Sequence, residues 1–404
     1  MNNTLKNERK LLLFTYLLCM VCSLNLYFLK SPFDQGAIII GAVICILIGY
    51  SHFITRHFFP EGDKYILIFS CILSSIGIFM LYRINRTTAV KQLIWFIAGI
   101  AVFILIIVIL PDIEKFSKFR YFYLIMTLAC MAAGSLLGKE QYGSKNWITI
   151  GSNFSFQPSE FGKLFLVAYL ASSLEHYKSF KNLIEPAFVV MASLGFMVLQ
   201  KDLGSALIIF AISVTMLYIS TSKFKYVAVC IVLFVIGSYI SYKMFAHVRV
   251  RIMIWQNPWK YAHDQGLQLV QSMFSIASGG MFGSGLGLGH PEFVPVNTSD
   301  FIFASICEEF GLLVGFGIII LYFLLFYRCM RAAIFVDEGF SRILSVGFSA
   351  MIGSQALVII GGVVNMIPLT GVTLPLVSYG GTSMFITYIA LGLIQKTSEE
   401  GNRI

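Results

Sequence analysis

The chain has few charged residues. Only 12% of its 404 residues are Asp, Glu, Lys or Arg, while 57% are hydrophobic, and ordinary soluble domains are about 25% charged. The composition excludes a soluble globular fold and indicates an all-α polytopic membrane protein. A span needs about 20 mostly apolar residues. About twelve such runs can be drawn: 11–29, 37–55, 64–83, 92–110, 119–138, 160–176, 185–200, 204–221, 226–245, 301–327, 341–365 and 379–395.

The chain also lacks the spacings that typify metal, disulfide and nucleotide sites. Its six His are dispersed without an HExxH motif, and its eight Cys all fall in or beside the apolar runs, so no disulfide framework is implied. The glycine-rich run 279–289 has neither the lysine nor the hydroxyl of a phosphate loop. Close backbone packing or membrane re-entry explains it better. No cofactor is predicted, although a divalent cation could accompany a phosphate-bearing substrate.

Clustered positive charge is missing as well. The net charge is +9, but the basic residues are scattered at the ends of the apolar runs, which argues against nucleic-acid binding. No small-x-small cleavage site follows the first run, so it is expected to remain as a helix. With both termini cytoplasmic, Lys and Arg are more frequent in the inside loops, as the positive-inside rule expects. The long polar segment 242–300 is then extracytoplasmic.

The polar segment 242–300 concentrates the polar residues in an otherwise apolar chain. Arg249, Arg251 and the glycine-rich run 279–289 lie within it, and Asp300 stands where it gives way to the apolar sequence that follows. Glu308 and Glu309 come one to two turns into that apolar helix, so at most one of them can face the same groove as Asp300. We therefore expect the residues that carry out the reaction to lie in this region.

A second polar stretch, 138–160, leads into a short apolar run. Pro158 fits the start of a helix there, and Ser159 could cap it. Glu160 and Lys163 are three residues apart and can pair on one face. Burying either charge alone would cost about 2.5–3.5 kcal/mol, so ionisable residues at membrane depth are functional candidates. A structural ion pair at the headgroup level is the alternative.

The segment 365–382 interrupts the apolar pattern near the end of the chain. It contains Asn365, Pro368, Pro375 and the run from Ser378 to Thr382. Irregular backbone at membrane depth is tolerated only where it lines a cavity or is covered by protein. We expect this segment to close over the polar segment 242–300.

These stretches resemble the shape, elongation, division and sporulation (SEDS) family of RodA, FtsW and SpoVE, from about Ile66 to the C-terminus. The matching motifs occur in family order: GSKNW at 143–147, QPSEFGK at 157–163, DLGSAL at 202–207, QSMFSIASGGMFGSGLG at 271–287, SDFIFASICEEFG at 299–311, and the run PLTGVTLPLVSYGGTS within 365–383.

The resemblance implies a ten-helix glycosyltransferase core, residues 63–404, preceded by a two-helix extension, residues 1–62. It implies polymerisation of lipid II, which is an undecaprenyl-pyrophosphate disaccharide-peptide. The implied partners are a class B penicillin-binding protein and the surrounding membrane lipids. The family's proposed catalytic aspartate falls on Asp300. Polar residues in and near the motifs become candidates for substrate contact: Glu160, Lys163, Lys145, Trp147, Arg249, Arg251, Gln271, Ser272, Glu308 and Ser378.

Four positions depart from the family pattern. The family usually has arginine at Asn146, proline at Lys201, tyrosine at Leu267 and glutamate at Val296. These departures affect the expected substrate contacts and the assignment to elongation, division or sporulation, but not the central aspartate.

The chemistry implied is an inverting glycosyl transfer with one carboxylate base. A rival hypothesis is a lipid II flippase, because about twelve spans with intramembrane charges and broken helices also suit transport. A third is a scaffold that positions a partner synthase.

Overall fold

The structure, a computed structural model, describes residues 2–29, 32–110, 112–141, 144–150, 154–337 and 339–402. These residues are mostly helical, which confirms the predicted all-α fold. The helices are α1 (Asn2–Phe28), α2 (Gln35–Phe58), α3 (Lys64–Ile84), α4 (Arg86–Ile109), α5 (Arg120–Leu137), α6 (Pro158–Leu174), α7 (Ile184–Leu199), α8 (Leu203–Thr221), α9 (Phe224–Met244), α10 (Ala246–Gln256), α11 (Leu267–Gly279), α12 (Ile302–Ile334), α13 (Gly339–Val363) and α14 (Gly381–Asn402).

Each of the twelve apolar runs corresponds to one of these helices. Among the described residues, ten helical segments are long and apolar enough to cross a membrane. The other two runs fall on α6, which has 17 residues, and on α14, which ends in the polar sequence KTSEEGN. No residue of α9 is buried, as expected for an apolar helix surrounded by lipid.

The helices form two compact units that are discontinuous in sequence. The first unit comprises Met1–Leu110, Gln268–Ala332 and Thr373–Ile404. In it α14 packs along α4, while α1 and α2 pack against α3. Most residues of α3 are buried, so this apolar helix is the centre of the unit rather than a lipid-facing element. The predicted boundary between residues 62 and 63 stays a prediction.

The second unit comprises Pro111–Leu267 and Ala333–Val372. In it α5 packs on α6, and α13 packs on both α6 and α8. The polar stretch before α6 forms three short strands, β1 (Lys139–Gln141), β2 (Ser144–Ile150) and β3 (Phe154–Phe156), paired antiparallel in the order β1-β2-β3. We did not predict these strands. The sequence indicated only a polar stretch, 138–160, ahead of the apolar run.

Two details correct or extend the predictions. The expected cap of α6 by Ser159 is wrong: Pro158 is its first residue and Gln157 its N-cap, without a side-chain cap bond, because proline is suited to the first helical position. The polar segment 242–300 is also more ordered than a loop. It includes α10 and α11, with 3₁₀ turns at Pro258–Tyr261 and Pro291–Phe293.

Candidate active site

Asp300 lies in a tight turn that leads into α12. The backbone N–H groups of Ser299 and Phe301 both donate to the carbonyl oxygen of Val296, at 3.2 and 3.4 Å. Phe301 is fully buried, whereas Asp300 is half-buried. Val296 has a φ of 57°, which is unusual for a β-branched residue. The turn therefore anchors its apolar end in the core and leaves the carboxylate at the edge of the polar segment.

Residues 374–379 hold this turn from the other side. The Ser378 hydroxyl donates to the carbonyl of Ser299 at 2.5 Å and accepts from the N–H of Leu374 at 2.9 Å. The N–H of Tyr379 donates to the carbonyl of Thr298 at 2.9 Å. This contact confirms that the second irregular segment closes over the end of the polar segment 242–300.

Gln92 of α4 fixes residues 378–380 in turn. Its side-chain nitrogen donates to the carbonyl of Ser378 at 2.9 Å, and its side-chain oxygen accepts from the N–H of Gly380 at 3.2 Å. Gln92 is completely buried. Sequence reasoning missed it, because a single glutamine in an apolar run has no motif around it.

The glycine-rich run 279–289 fills a break in α12. The helix is interrupted at Gly311, whose φ of 85° and ψ of 168° are not helical. Backbone N–H groups of Ser284 and Gly285 donate to the carbonyls of Glu308 and Glu309, both at 2.9 Å. In return, residues 312 and 313 donate to the carbonyls of 280 and 281, at 2.9 and 3.2 Å. The run replaces the hydrogen bonds that the helix loses, which confirms the prediction of close backbone packing.

Glu308 and Glu309 clamp the same run with their side chains. The Glu308 carboxylate accepts from the Ser275 hydroxyl at 2.6 Å and from the N–H of His290 at 2.7 Å. The Glu309 carboxylate accepts from the N–H of Gly287 at 2.9 Å. Both side chains are buried. The two acids therefore shape the glycine-rich run around the break in α12.

Arg83, near the end of α3, completes this clamp. Its guanidinium lies 3.2 Å from a carboxylate oxygen of Glu309 and donates to the carbonyls of Gly287 and Gly289, at 3.2 and 3.1 Å. The pairing offsets the burial of the Glu309 charge. Sequence reasoning missed Arg83, because a basic residue at the end of an apolar run is explained equally well by membrane orientation.

The second unit contains the buried ion pair that the spacing predicted. The Lys163 ammonium donates to a carboxylate oxygen of Glu160 at 2.8 Å and to the side-chain oxygen of Gln355, on α13, at 3.4 Å. Lys163 is fully buried and Glu160 nearly so. These charges are shielded from solvent, and whether the pair is functional or a structural ion pair at the headgroup level stays a prediction.

Asn146 and Lys201, two departures from the family pattern, lie at one turn. The Asn146 amide donates to the Asp202 carboxylate at 2.7 Å, and the same carboxylate caps α8 by accepting from the N–H of Ser205 at 2.9 Å. Lys201 has a φ of 60°. Proline cannot adopt that angle, so the turn has a geometry that the proline expected here from the resemblance could not form.

The remaining predicted residues of the second unit lie on two elements, α10 and β2. Arg251 donates to the carbonyls of Leu369 and Thr370, at 3.1 and 3.0 Å, while Arg249 is exposed. Trp147 is half-buried on β2. The Lys145 side chain lies outside the described part of the structure.

Gln271 and Ser272 lie on α11 in the first unit. Gln271 is half-buried, and the buried Ser272 hydroxyl donates to the carbonyl of Leu269 at 2.8 Å.

The surroundings of Arg251 are electrostatically positive. Burial lowers the pKa of His247 below its ordinary value, and the charges of Arg251 and Lys201 lower it further. Burial, the larger cause, disfavours any charge there, whereas the two cations, Arg251 and Lys201, favour an anion. Among the described residues, no group of three His, Cys, Asp or Glu comes together as a metal site.

Comparisons with known proteins place the chain in a family. Residues 62–403 match the family model FtsW/RodA/SpoVE, described as cell cycle protein. Peptidoglycan glycosyltransferase RodA of Mycobacterium tuberculosis is 32% identical, over 90% of this chain and 83% of the relative. The probable peptidoglycan glycosyltransferase FtsW of Bacillus subtilis is 31% identical, over 84% of this chain and 91% of the relative.

The fold has a solved counterpart. A chain from a study of how a peptidoglycan synthase complex coordinates polymerization and crosslinking superimposes with a TM-score of 0.72, at 23% identity, over 84% of this chain and 98% of that one. The helical architecture is therefore shared. Together with the family match and the RodA relative, this shows an integral membrane protein that belongs to the FtsW/RodA/SpoVE family.

Proposed function

We propose that this chain is a peptidoglycan glycosyltransferase that polymerises lipid II into glycan strands at the outer face of the cytoplasmic membrane, with Asp300 as the general base. The RodA and FtsW relatives are named for peptidoglycan glycosyl transfer. The observation that carries the proposal is the position of Asp300. A half-buried carboxylate lies in a turn fixed by Val296 and Ser378, where the polar segment enters apolar α12.

The reaction needs one base. The sugar 4-hydroxyl of the acceptor gives its proton to the Asp300 carboxylate while its oxygen bonds to the donor's anomeric carbon. The bond from that carbon to pyrophosphate breaks, and the lipid pyrophosphate leaves as an anion with inversion at carbon. No general acid is required, unlike in inverting hydrolases, which use two carboxyls. A positioned base contributes roughly 10²–10⁴-fold to the rate.

Cations stabilise the charge that develops on the departing pyrophosphate. Arg249, Arg251, Lys145 and Lys163 are the candidates for this role. Arg251 and Lys201 both lie close enough to His247 to lower its pKa in addition to the effect of burial, which supports clustered positive charge near Arg251. A divalent cation would add to this charge, although the described residues offer it no cage of carboxylates or histidines.

Other candidate residues act around the substrate rather than on the reacting atoms. Glu160, Trp147, Gln271 and Ser272 remain candidates for contacts with sugar or peptide. Glu308 and Ser378 bind protein groups, the glycine-rich run and the Asp300 turn. We expect these two to act through the surfaces that they hold in place.

The membrane setting follows from the substrate. Lipid tails would lie against the helices while the sugars react at the polar surface, so the polar segment 242–300 faces outward and both termini lie in the cytoplasm. A class B penicillin-binding protein would supply the crosslinking activity. The similar chain from a synthase complex that couples polymerization and crosslinking supports such a partner.

Polymerisation by purified protein tests the function. The wild-type chain in detergent, given labelled lipid II, should yield glycan polymer on gels together with lipid pyrophosphate. Replacing Asp300 should abolish both products. Absence of polymer from folded wild-type protein, with and without a class B partner, would reject the assignment.

A lipid II flippase is the second candidate, because the break in α12 at Gly311 and the buried Glu160–Lys163 pair are features that transporters also use. Proteoliposomes distinguish the two. Lipid II that changes leaflet without forming polymer would favour the flippase, whereas polymer without movement between leaflets would favour the transferase.

A further inference from the structure

The helix pair α1–α2 lies outside the residues that match the family model, which begin at 62. The described parts of the link between the two helices contain Leu29 and Asp34, and both residues belong to the same compact unit as the glycine-rich run. None of the residues assigned to the proposed reaction lies on this helix pair. Its contacts with α3, α4 and the glycine-rich run indicate what it does.

Asp34 joins the helix pair to the end of α3 and the start of α4. It is buried, and its carboxylate caps α2 by accepting from the N–H of Gly36 at 3.2 Å. The same oxygen accepts from the Tyr82 hydroxyl at 2.9 Å, and the other oxygen pairs with Arg86. The Arg86 guanidinium also lies 5.5 Å from the centre of the Tyr82 ring. One carboxylate therefore ties down both residues.

Arg83 lies between these two residues in sequence and holds the glycine-rich run. It pairs with Glu309 and donates to the carbonyls of Gly287 and Gly289. Its backbone is thus flanked by two positions that Asp34 fixes. A shift of Tyr82 and Arg86 would move the Arg83 guanidinium and the glycine carbonyls that it binds.

Leu29 makes a second, direct contact with the run. Its side chain lies so close to Gly287 that a Cβ on that glycine would overlap it. Gly287 is also the residue whose N–H binds Glu309 and whose carbonyl accepts from Arg83. Gly283, Gly285 and Gly287 have φ values of 81°, 104° and 91°. Glycines in such conformations have much backbone freedom to lose, so the run gains from an external contact.

We infer that the helix pair α1–α2 is a positioning element for the reaction. Asp34, acting through Tyr82 and Arg86, and Leu29, acting directly on Gly287, set the glycine-rich run against Glu308 and Glu309 at the break in α12. That helix begins beside Asp300, so the run's position affects the reacting carboxylate. The effect on catalysis depends on the proposed function, whereas the effect on the run does not.

Hydrogen–deuterium exchange and polymerisation, measured on the full-length protein, test the inference. Asp34→Ala and Leu29→Ala should each speed exchange in peptides covering 279–290 about tenfold, because the local opening free energy falls. Their polymerisation rates should fall about tenfold to 10²-fold, the scale expected for a small misplacement remote from the chemistry. Leu29→Met retains an apolar side chain of similar volume and should restore both values.

Two control variants separate positioning from general destabilisation. Glu8→Gln removes a carboxylate that pairs with His52 and Arg56 within the same helix pair. Leu13→Ala trims an exposed leucine of α1. Both should leave exchange in 279–290 and the polymerisation rate unchanged.

Unchanged exchange in folded Asp34→Ala and Leu29→Ala protein would overturn the inference, whatever the activity. Faster exchange with an undiminished polymerisation rate would overturn its catalytic part. If wild-type protein makes no polymer, the proposed function fails, while the exchange comparison still decides whether the helix pair positions the run.

Discussion

At the scale of single residues, the backbone on both sides of Asp300 is held by hydrogen bonds. Ser299 accepts from the Ser378 hydroxyl, and Phe301 donates to Val296. The surrounding turn must therefore hold the Asp300 carboxylate in position, and this position depends on side chains distant in sequence.

Ser378→Ala should lower the polymerisation rate about tenfold, because a small misplacement of a reacting group has a large effect on rate. The loss of the hydrogen bond itself costs about 1 kcal/mol of stability. Ser51→Ala is the control, since the Ser51 hydroxyl donates to the Ile48 carbonyl of its own helix. Equal rates for the two variants would show that Ser378 does not position Asp300.

Glu175, just after α6, should make the stability of the protein depend on pH. Burial, together with the neighbouring Glu114, raises the pKa of Glu175 from 4.5 to about 7. Because the folded state binds the proton more tightly than the unfolded state, this contribution is present below pH 4.5 and is lost as pH rises to about 7. Between pH 5 and 8 the melting temperature should fall less steeply with rising pH for Glu175→Gln than for the wild-type protein. An unchanged slope would contradict the assignment.

Local spacing predicted only part of these residue contacts. The i,i+3 rule found Glu160 and Lys163, because both lie on one helix face. It could not find Gln355, which is on a distant helix. The prediction that Ser159 caps α6 was wrong because Pro158 occupies the first position of that helix. Arg83 and Gln92 had no local signal, since their partners are distant in sequence and are brought near by tertiary packing.

At the scale of elements, α12 works as a broken helix rather than a single span. The glycine-rich run supplies the hydrogen bonds that the break at Gly311 removes. Apolar length predicted the span, and glycine content predicted close packing. The break itself was not predicted, because Gly311 is one of several glycines in this helix and nothing local distinguishes it.

Gly311→Ala should destabilise the protein, since its φ of 85° is strained for alanine by about 1–3 kcal/mol. A Cβ there would also meet the backbone of Gly283. Gly317→Ala, in the same helix, is the control: a Cβ at Gly317 meets nothing within 4 Å, and alanine favours helix. Thermal unfolding in detergent should show a markedly lower melting temperature for Gly311→Ala only. Similar melting temperatures would argue against the break.

At the scale of the whole molecule, the two units are each assembled from separate parts of the chain. Hydropathy predicted the helices, because each span reads as one apolar run. It could not predict which helices pack together, because lipid-facing and protein-facing apolar surfaces have the same composition. The burial of α3 and the exposure of α9 show this: both are predominantly apolar, yet one is the centre of its unit.

Cysteine labelling in intact cells tests the orientation that lipid II polymerisation requires. Asp264→Cys, at an exposed position of the polar segment 242–300, should react with a membrane-impermeant maleimide. Lys178→Cys, exposed between α6 and α7, should react only after permeabilisation. The reverse pattern would place the polar segment in the cytoplasm and exclude outward-facing chemistry.

The most direct test of the central claim compares purified Asp300→Asn with Asp264→Asn in a lipid II polymerisation assay. Both changes remove one carboxylate from the same polar segment, but Asp264 is exposed and belongs to no candidate site. We predict that Asp300→Asn loses about 10²–10⁴-fold in rate, while Asp264→Asn polymerises like wild type. Full activity of folded Asp300→Asn would contradict its role as the base.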